Sequence, residues 1–260
     1  MPLFLLRYTI NESARSECMT IFGGMTPEDD KKDMGDNVLL LGRWSTVGSS
    51  SGFCICKSPN GNEIHKWLLN WTVLANFDCV PVVDDNDARR ILFKKEPECI
   101  VDYSNVCNEA KENEGLYFIE YRVFPSKREE VYNLFTLEEF GNNTCYGCWH
   151  NLGNGTGFMI FSSKTEFDIY SWINQWTGLC DFVVQPVVSD YVCRKNIKTE
   201  PDFIRNYETI MNRIGHNIRP FSQPSQPLQP LQSLQPLQHS QHSQHSQHSV
   251  ISVCCCWPFR

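Results

Sequence analysis

Gly42-Arg43-Trp44, Gly48, Gly52-Phe53, Trp67, Trp71 and Pro81-Val82-Val83 recur as Gly147-Cys148-Trp149, Gly153, Gly157-Phe158, Trp172, Trp176 and Pro186-Val187-Val188. The offset is 105 residues throughout, and roughly a third of the aligned positions are identical. Chance does not hold Trp, Gly and Pro in register over such a length, so the chain is an internal duplication. At the N-terminal end the offset changes. Residues 2–8 align with 115–121 at an offset of 113, so the second copy lacks eight residues between its first two strands. A length change of this kind is tolerated best in a surface connection.

Working outward, each copy reads strand, helix, strand, strand, helix, strand. In the first copy residues 3–9 form the first strand. Residues 12–22 are expected to be helical, with Asn11 or Ser13 as cap. The polar stretch 26–36 reads as a loop or short helix, and 38–46 as the second strand. Gly48-Ser49-Ser50-Ser51-Gly52 is a glycine-rich turn between two apolar runs, a hairpin signal. The third strand follows at 53–57. Ile64, Trp67, Leu68, Trp71 and Leu74 make one apolar stripe, which predicts a helix over 63–74. The fourth strand spans 77–83, where Pro81 donates no ladder bond and suits an edge. A short helix over 84–92 closes the copy, and Arg89 matches Arg194.

The order β-α-β-β-α-β predicts an α+β fold of the ferredoxin-like type. One such unit leaves an apolar sheet face uncovered. Two units packed sheet to sheet within one chain would form a pseudo-dimeric α+β barrel. The expected organisation is residues 1–92 as the first unit, 93–114 as a charged linker and 115–198 as the second unit. Residues 199–219 would carry a C-terminal helix and 220–260 a disordered tail. The helix is read from Ile204, Tyr207, Met211 and Ile214 on one face. The tail is low complexity, running Gln-Pro-Leu and then Gln-His-Ser in period three, and cannot bury a core.

The chain has 260 residues, a net charge of −7 and 13 cysteines. An acidic balance argues against nucleic-acid binding, which depends on Lys and Arg neutralising phosphates. No apolar run approaches the ~18 residues of a membrane span. The apolar N-terminus has no basic leader or small-residue cleavage site, so no secretion signal is read, and the cysteines are expected to be reduced thiols in the cytoplasm. Cys54, Cys56 and Cys79 align with Met159, Phe161 and Val184, as buried thiols that act as small hydrophobes would.

The Gly-Arg-Trp, Gly-x-x-x-Gly-Phe, Trp-x-x-x-Trp and Pro-Val-Val pattern resembles a family of small domains of unknown function in the dimeric α+β barrel superfamily. The resemblance covers about residues 3–92 and 116–197. That superfamily includes cofactor-free monooxygenases, small isomerases, haem-dependent enzymes and ligand-binding regulators. The resemblance therefore implies a pocket between sheet and helices but no particular reaction. Cys148 stands where the first copy has Arg43, so only the first half keeps that arginine.

A small-molecule-binding module is the reading carried forward, with a pocket drawn from Arg43, Trp44, Trp67, Trp71, Trp149, Trp172 and Trp176. The alternatives are a cofactor-independent enzyme of the monooxygenase or isomerase type and a non-catalytic scaffold anchored by its tail. In the enzymatic reading His150 is the general base, since imidazole titrates near neutrality, and Arg43 holds an anionic group. The Trp pairs, four residues apart, equally fit plain core packing. Cys145-Tyr146-Gly147-Cys148-Trp149-His150 carries a Cys-x-x-Cys pair, but the pair aligns with a strand and no second pair follows at zinc-ligand spacing. No metal and no cofactor is expected. His239, His242, His245 and His248 read as repeat expansion in the tail. Cys254, Cys255 and Cys256 beside Trp257 and Phe259 are acylation candidates, which would attach the chain peripherally to a membrane. The expected partner is a small organic ligand, bound by a monomer that is itself a pseudo-dimer.

Overall fold

A computed structural model describes residues 1–94, 113–135, 140–200, 207 and 209. The first repeat runs β1 (Leu3–Ile10), α1 (Arg15–Gly24), α2 (Pro27–Met34), β2 (Leu39–Thr46), β3 (Ser51–Lys57), α3 (Gly61–Leu69), β4 (Ala75–Asp84) and α4 (Asp85–Phe93). The second runs β5 (Gly115–Val123), α5 (Arg128–Leu134), β6 (Thr144–Asn151), β7 (Thr156–Ser163), α6 (Glu166–Asn174), β8 (Cys180–Ser189) and α7 (Asp190–Thr199). Most of the linker, most of the C-terminal helix and the whole tail, with the histidine tract and Cys254, Cys255 and Cys256, lie outside the described residues.

Each repeat is an antiparallel sheet in the ferredoxin-like order, β4-β1-β3-β2 and β8-β5-β7-β6, and the two join into one closed barrel. Two seams close it. β2 pairs with β8 at Trp44–Ser189, Ser45–Val188 and Thr46–Val187. β4 pairs with β6 at Val83–His150 and Asp84–Trp149. Pro81 therefore sits where the outer edge of β4 is unpaired, and the missing N–H costs nothing. The fold expectation holds: a tandem α+β barrel inside one chain.

The core has three layers. The barrel interior is shared, with Leu5, Trp44, Phe53 and Ile55 from one repeat against Phe118, Trp149, Phe158 and Ile160 from the other. Trp44 and Trp149 face each other with ring centroids 6.4 Å apart. Outside the barrel, α3 packs Ile64, Trp67 and Leu68 on β1 and β3. Its counterpart α6 packs Ile169 and Trp172 on β5 and β7. Cys54 and Cys56 are buried as expected, whereas Cys79 is exposed. Burial pushes the Cys54 thiol up to about 12 and Cys18 up to about 11, so both stay protonated.

Two local expectations change, and for the stretch 26–36 the structure decides between loop and short helix. Asn11 and Ser13 do not cap α1; a single turn of 3-10 helix, Glu12–Ala14, precedes it, and the Asn11 amide instead donates to the Val73 carbonyl. Residues 27–34 are a full helix, α2, because Thr26 and Asp29 form a reciprocal capping box and Pro27 occupies the first turn. The helix expected over 63–74 begins earlier and ends at Leu69, because the Asn60 side chain accepts from the N–H groups of Asn62 and Glu63. Trp71 thus lies in the turns after α3, where its own carbonyl accepts from Leu74 and Ala75 and swings the chain into β4.

Candidate functional site

The repeated glycines have steric reasons. A Cβ on Gly42 would strike the Trp44 ring, which folds back along its strand inside the barrel, and Gly147 stands in the same relation to Trp149. A Cβ on Gly52 would strike the Tyr8 ring, and one on Gly157 the Tyr121 ring. The first pair of glycines seats a tryptophan in the interior. The second seats a tyrosine on the outer face, where its hydroxyl reaches the next strand but one. Tyr8 Oη lies 3.1 Å from Ser45 Oγ. Tyr121 Oη lies 2.5 Å from His150 Nδ1.

In the first repeat that outer face opens onto a cavity of ≈ 820 Å³ between the sheet and helices α1 and α7. Leu6, Phe22, Cys54, Trp67, Trp71 and Phe77 supply apolar wall, and Tyr8, Ser45 and Arg43 supply polar groups. Burial drives the Tyr8 phenol well above its ordinary value, so it stays protonated and able to donate. The exposed lining residues Glu12, Arg15, Ser49 and Asn196 place one side of the cavity at solvent.

Arg43 is not free. Its guanidinium donates to Asp190 at 2.9 and 3.1 Å and to Asp30 at 3.1 Å. Arg194 donates to both oxygens of Asp30 at 2.9 and 2.7 Å and to the Met25 carbonyl at 2.6 Å. Both guanidinium groups lie over the Phe22 ring, at 4.7 and 4.4 Å. Burial alone would favour neutral Arg43, but Asp190 and Asp30 outweigh it and hold the charge in place. Two arginines meet two carboxylates, so the cluster carries no net charge. Asp30 comes from α2, in the stretch the second repeat lacks, and Asp190 and Arg194 come across the seam on α7.

The same helix supplies Asp33. One oxygen of its carboxylate accepts the indole N–H of Trp67 and of Trp71, each at 2.7 Å, and the other accepts from Asn70 at 3.0 Å. Burial nevertheless raises the Asp33 carboxyl above the usual range against those bonds. In the second repeat, the indole N–H groups of Trp172 and Trp176 have no hydrogen-bond partner among the described residues.

There the corresponding space is nearly full. A void of ≈ 20 Å³ remains among Tyr121, Phe135, Cys148, Trp172 and Trp176. Met159 and Phe161 replace Cys54 and Cys56, and Phe140 packs against Phe161 and Trp172 at 5.3 and 6.2 Å. His150 is 2 % exposed. Its Nε2 lies 3.3 Å from Cys148 Sγ and 3.2 Å from Asp85 Oδ1. Asp85 opens α4 just as Asp190 opens α7, and its second oxygen accepts from Arg89 at 2.7 Å. Burial alone would raise the Asp85 carboxyl, but the His150 and Arg89 bonds outweigh it and hold it below the usual range.

Of the residues expected at a pocket, Arg43, Trp67 and Trp71 line the large cavity. Trp172 and Trp176 line only the small void, and Trp44 and Trp149 line neither, because strand alternation turns them into the barrel. His150 is brought to the second repeat's cluster and not to the large cavity. Sequence reading missed Tyr8, Ser45, Asp30, Asp33, Asp85 and Asp190. A signal existed for two of them, since Asp85 and Asp190 obey the same 105-residue offset as the arginines four positions on.

The family profile described as Domain of unknown function (DUF3303) matches residues 2–96 and again 115–199. The chain belongs to that family. Comparison with curated proteins returned no match. Among solved structures, a "putative monooxygenase" from Lactobacillus acidophilus NCFM is similar at 14 % identity and a TM-score of 0.41, over 73 % of this chain and 94 % of that one. A mutant chlorite dismutase from Candidatus Nitrospira defluvii in complex with cyanide is similar at 7 % identity and a TM-score of 0.47, over 75 % of this chain and 94 % of that one. An anthrone oxidase-like protein is similar at 6 % identity and a TM-score of 0.39, over 72 % and 91 % of the two chains. Among the described residues of this family member, no helix is long and apolar enough to cross a membrane.

Proposed function

We propose that the first repeat binds a small, uncharged, largely apolar organic molecule, and that Tyr8 and Ser45 read its one polar group. The observation that carries this is the inequality of the two halves. Equivalent positions enclose ≈ 820 Å³ in one repeat and ≈ 20 Å³ in the other. The larger value is of the size that holds cofactor- and drug-sized ligands. The choice of an uncharged ligand follows from Arg43. Its charge is already met by two carboxylates, and a ligand carboxylate would have to displace one of them. Tyr8 is a protonated phenol beside a serine hydroxyl, a pair suited to a carbonyl or hydroxyl oxygen. Trp67 and Trp71, pinned by Asp33, form a rigid aromatic wall that costs little entropy to present. His150 is buried and lines neither the cavity nor the small void, so the geometry favours binding in the first repeat over catalysis at that residue.

Native mass spectrometry of the full chain, purified without added ligand, tests the reading. The expected result is an adduct lost on denaturation. Cys54→Met, which places the second repeat's residue in the cavity wall, should lower its occupancy at least tenfold while leaving the melting temperature within a few degrees. An adduct of equal occupancy in that variant would move the ligand elsewhere, and a clean unliganded mass for the wild type would reject the proposal.

A further inference from the structure

The Asp85, Cys148 and His150 cluster is not used by the cavity. Its three donor atoms all lie within 4.8 Å of one another, and all three residues are buried. They come from both halves: Asp85 from α4 of the first repeat, Cys148 and His150 from β6 of the second, across the β4–β6 seam.

The arrangement at His150 is informative. Cys148 Sγ and Asp85 Oδ1 both approach the same nitrogen, Nε2, at 3.3 and 3.2 Å. In a nucleophile–base–carboxylate relay the imidazole uses one nitrogen for each neighbour. Here the second nitrogen, Nδ1, is taken by Tyr121 Oη at 2.5 Å. A single proton on Nε2 serves one of two acceptors at full strength, whereas a cation placed among the three atoms serves all of them. We propose that Asp85, Cys148 and His150 are the ligands of a zinc-class divalent cation that staples the seam between the two repeats.

The chemistry of the set agrees. Thiolate, imidazole and carboxylate together select a borderline cation rather than calcium or magnesium. Tetrahedral bonds of about 2.0–2.3 Å put neighbouring ligand atoms about 3.3–3.6 Å apart, close to the 3.3 and 3.2 Å that separate Nε2 from Sγ and Oδ1. Arg89 holds Asp85 Oδ2 at 2.7 Å, which leaves Oδ1 as the inner oxygen. With the cation on Nε2, the ring proton sits on Nδ1 and donates to Tyr121 Oη, the outer bond that fixes a ligating histidine. The void of ≈ 20 Å³ bordered by Tyr121 and Cys148 is lined by neither Asp85 nor His150. It has no room for a substrate, so the role is structural. Binding releases the Cys148 thiol proton, so affinity rises with pH. The first repeat has Arg43 and Ser45 at the two matching strand positions and has no such set.

The test uses the full chain, stripped of metal and titrated with cobalt(II) as a spectroscopic probe. Tail histidines and cysteines are present in every variant, so differences between variants carry the result. Wild type should bind one more equivalent than Cys148→Ser and show a thiolate-to-cobalt band that this variant loses. His150→Gln should also bind one equivalent fewer. Equal stoichiometry and equal spectra in all three folded proteins would overturn the site. If either variant fails to fold, the wild-type melting temperature with and without zinc decides. A rise of about 5 °C is expected at saturation, and no rise would overturn the proposal.

Discussion

Asp33 is one side chain doing three tasks, and its chemistry is tense. Three N–H donors converge on its carboxylate, yet its pKa still rises because burial outweighs them. An acid whose folded pKa lies above its unfolded value of about 3.9 contributes stability that is fully present below the unfolded pKa and lost as pH rises through the folded pKa. At neutral pH the ionised group therefore carries a penalty, which acidification removes. Asp33→Asn cannot titrate and is the reference. Urea unfolding of both proteins at pH 7 and pH 4.5 should show the wild type gaining on the variant at the lower pH. A gap that stays constant, or widens in the variant's favour, would mean that the carboxyl is not destabilised by burial. Nothing in the local sequence marks this residue. Glu28, Asp29, Asp30 and Asp36 surround it, and in a polar stretch five acids look alike. What distinguishes Asp33 is the place where α2 packs, a tertiary fact. The glycines are the opposite case. Gly42 and Gly147 make room for the tryptophan two positions along their own strand, a local cause that the duplication displays twice, while Gly52 and Gly157 make room for a tyrosine on the paired strand.

At the scale of elements, α2 accounts for most of the difference between the repeats. It delivers Asp33 to the tryptophans and Asp30 to the arginines, and among the described residues the second repeat has no counterpart of either bond. Arg43 and Arg194 are both buried, each with a bond to Asp30. Removing one partner from a buried ion pair costs more than the pair contributes, because a charge is left without compensation. Asp30→Ala should therefore destabilise the chain by about 3 kcal/mol, whereas Asp29→Ala on the same helix removes a cap and should cost about 1 kcal/mol. Chemical denaturation of the two variants gives the comparison directly, and equal losses would show that Asp30 is no more than a surface acid. The eight-residue difference in length was plain in the sequence, but its meaning was not. Asp30 meets Arg194 across 164 residues of chain, and that encounter depends on β8 joining β2 at a seam no periodicity reveals. The same limit hid the site around His150. His150 was singled out as a titratable residue on a strand, and its real neighbours Asp85 and Tyr121 arrive from 65 and 29 residues away.

The whole molecule is a barrel whose interior belongs to neither half. Six of its buried interior residues come from the first repeat (Leu3, Leu5, Trp44, Phe53, Ile55 and Val82) and six from the second. Fully burying such a side chain is worth about 1.5–3 kcal/mol, so each half separated from the other forgoes roughly 10 kcal/mol. A domain's entire stability is about 5–15 kcal/mol, so the loss is decisive. Residues 1–94 expressed alone should not form a folded monomer; they should be unfolded or paired with themselves through the exposed sheet face. Mixed with residues 113–200, they should assemble one to one, with the native near-ultraviolet circular dichroism of the buried tryptophans restored. Intact, the chain should unfold in a single transition, because losing either seam uncovers the common interior. A cooperative melt from a monomeric first half would place the stabilising energy in the outer helix–sheet layers. In that case Trp44 and Trp149 would be filling a space between two independent domains, and closure of the barrel would be a consequence of tethering rather than the reason the repeats stay together.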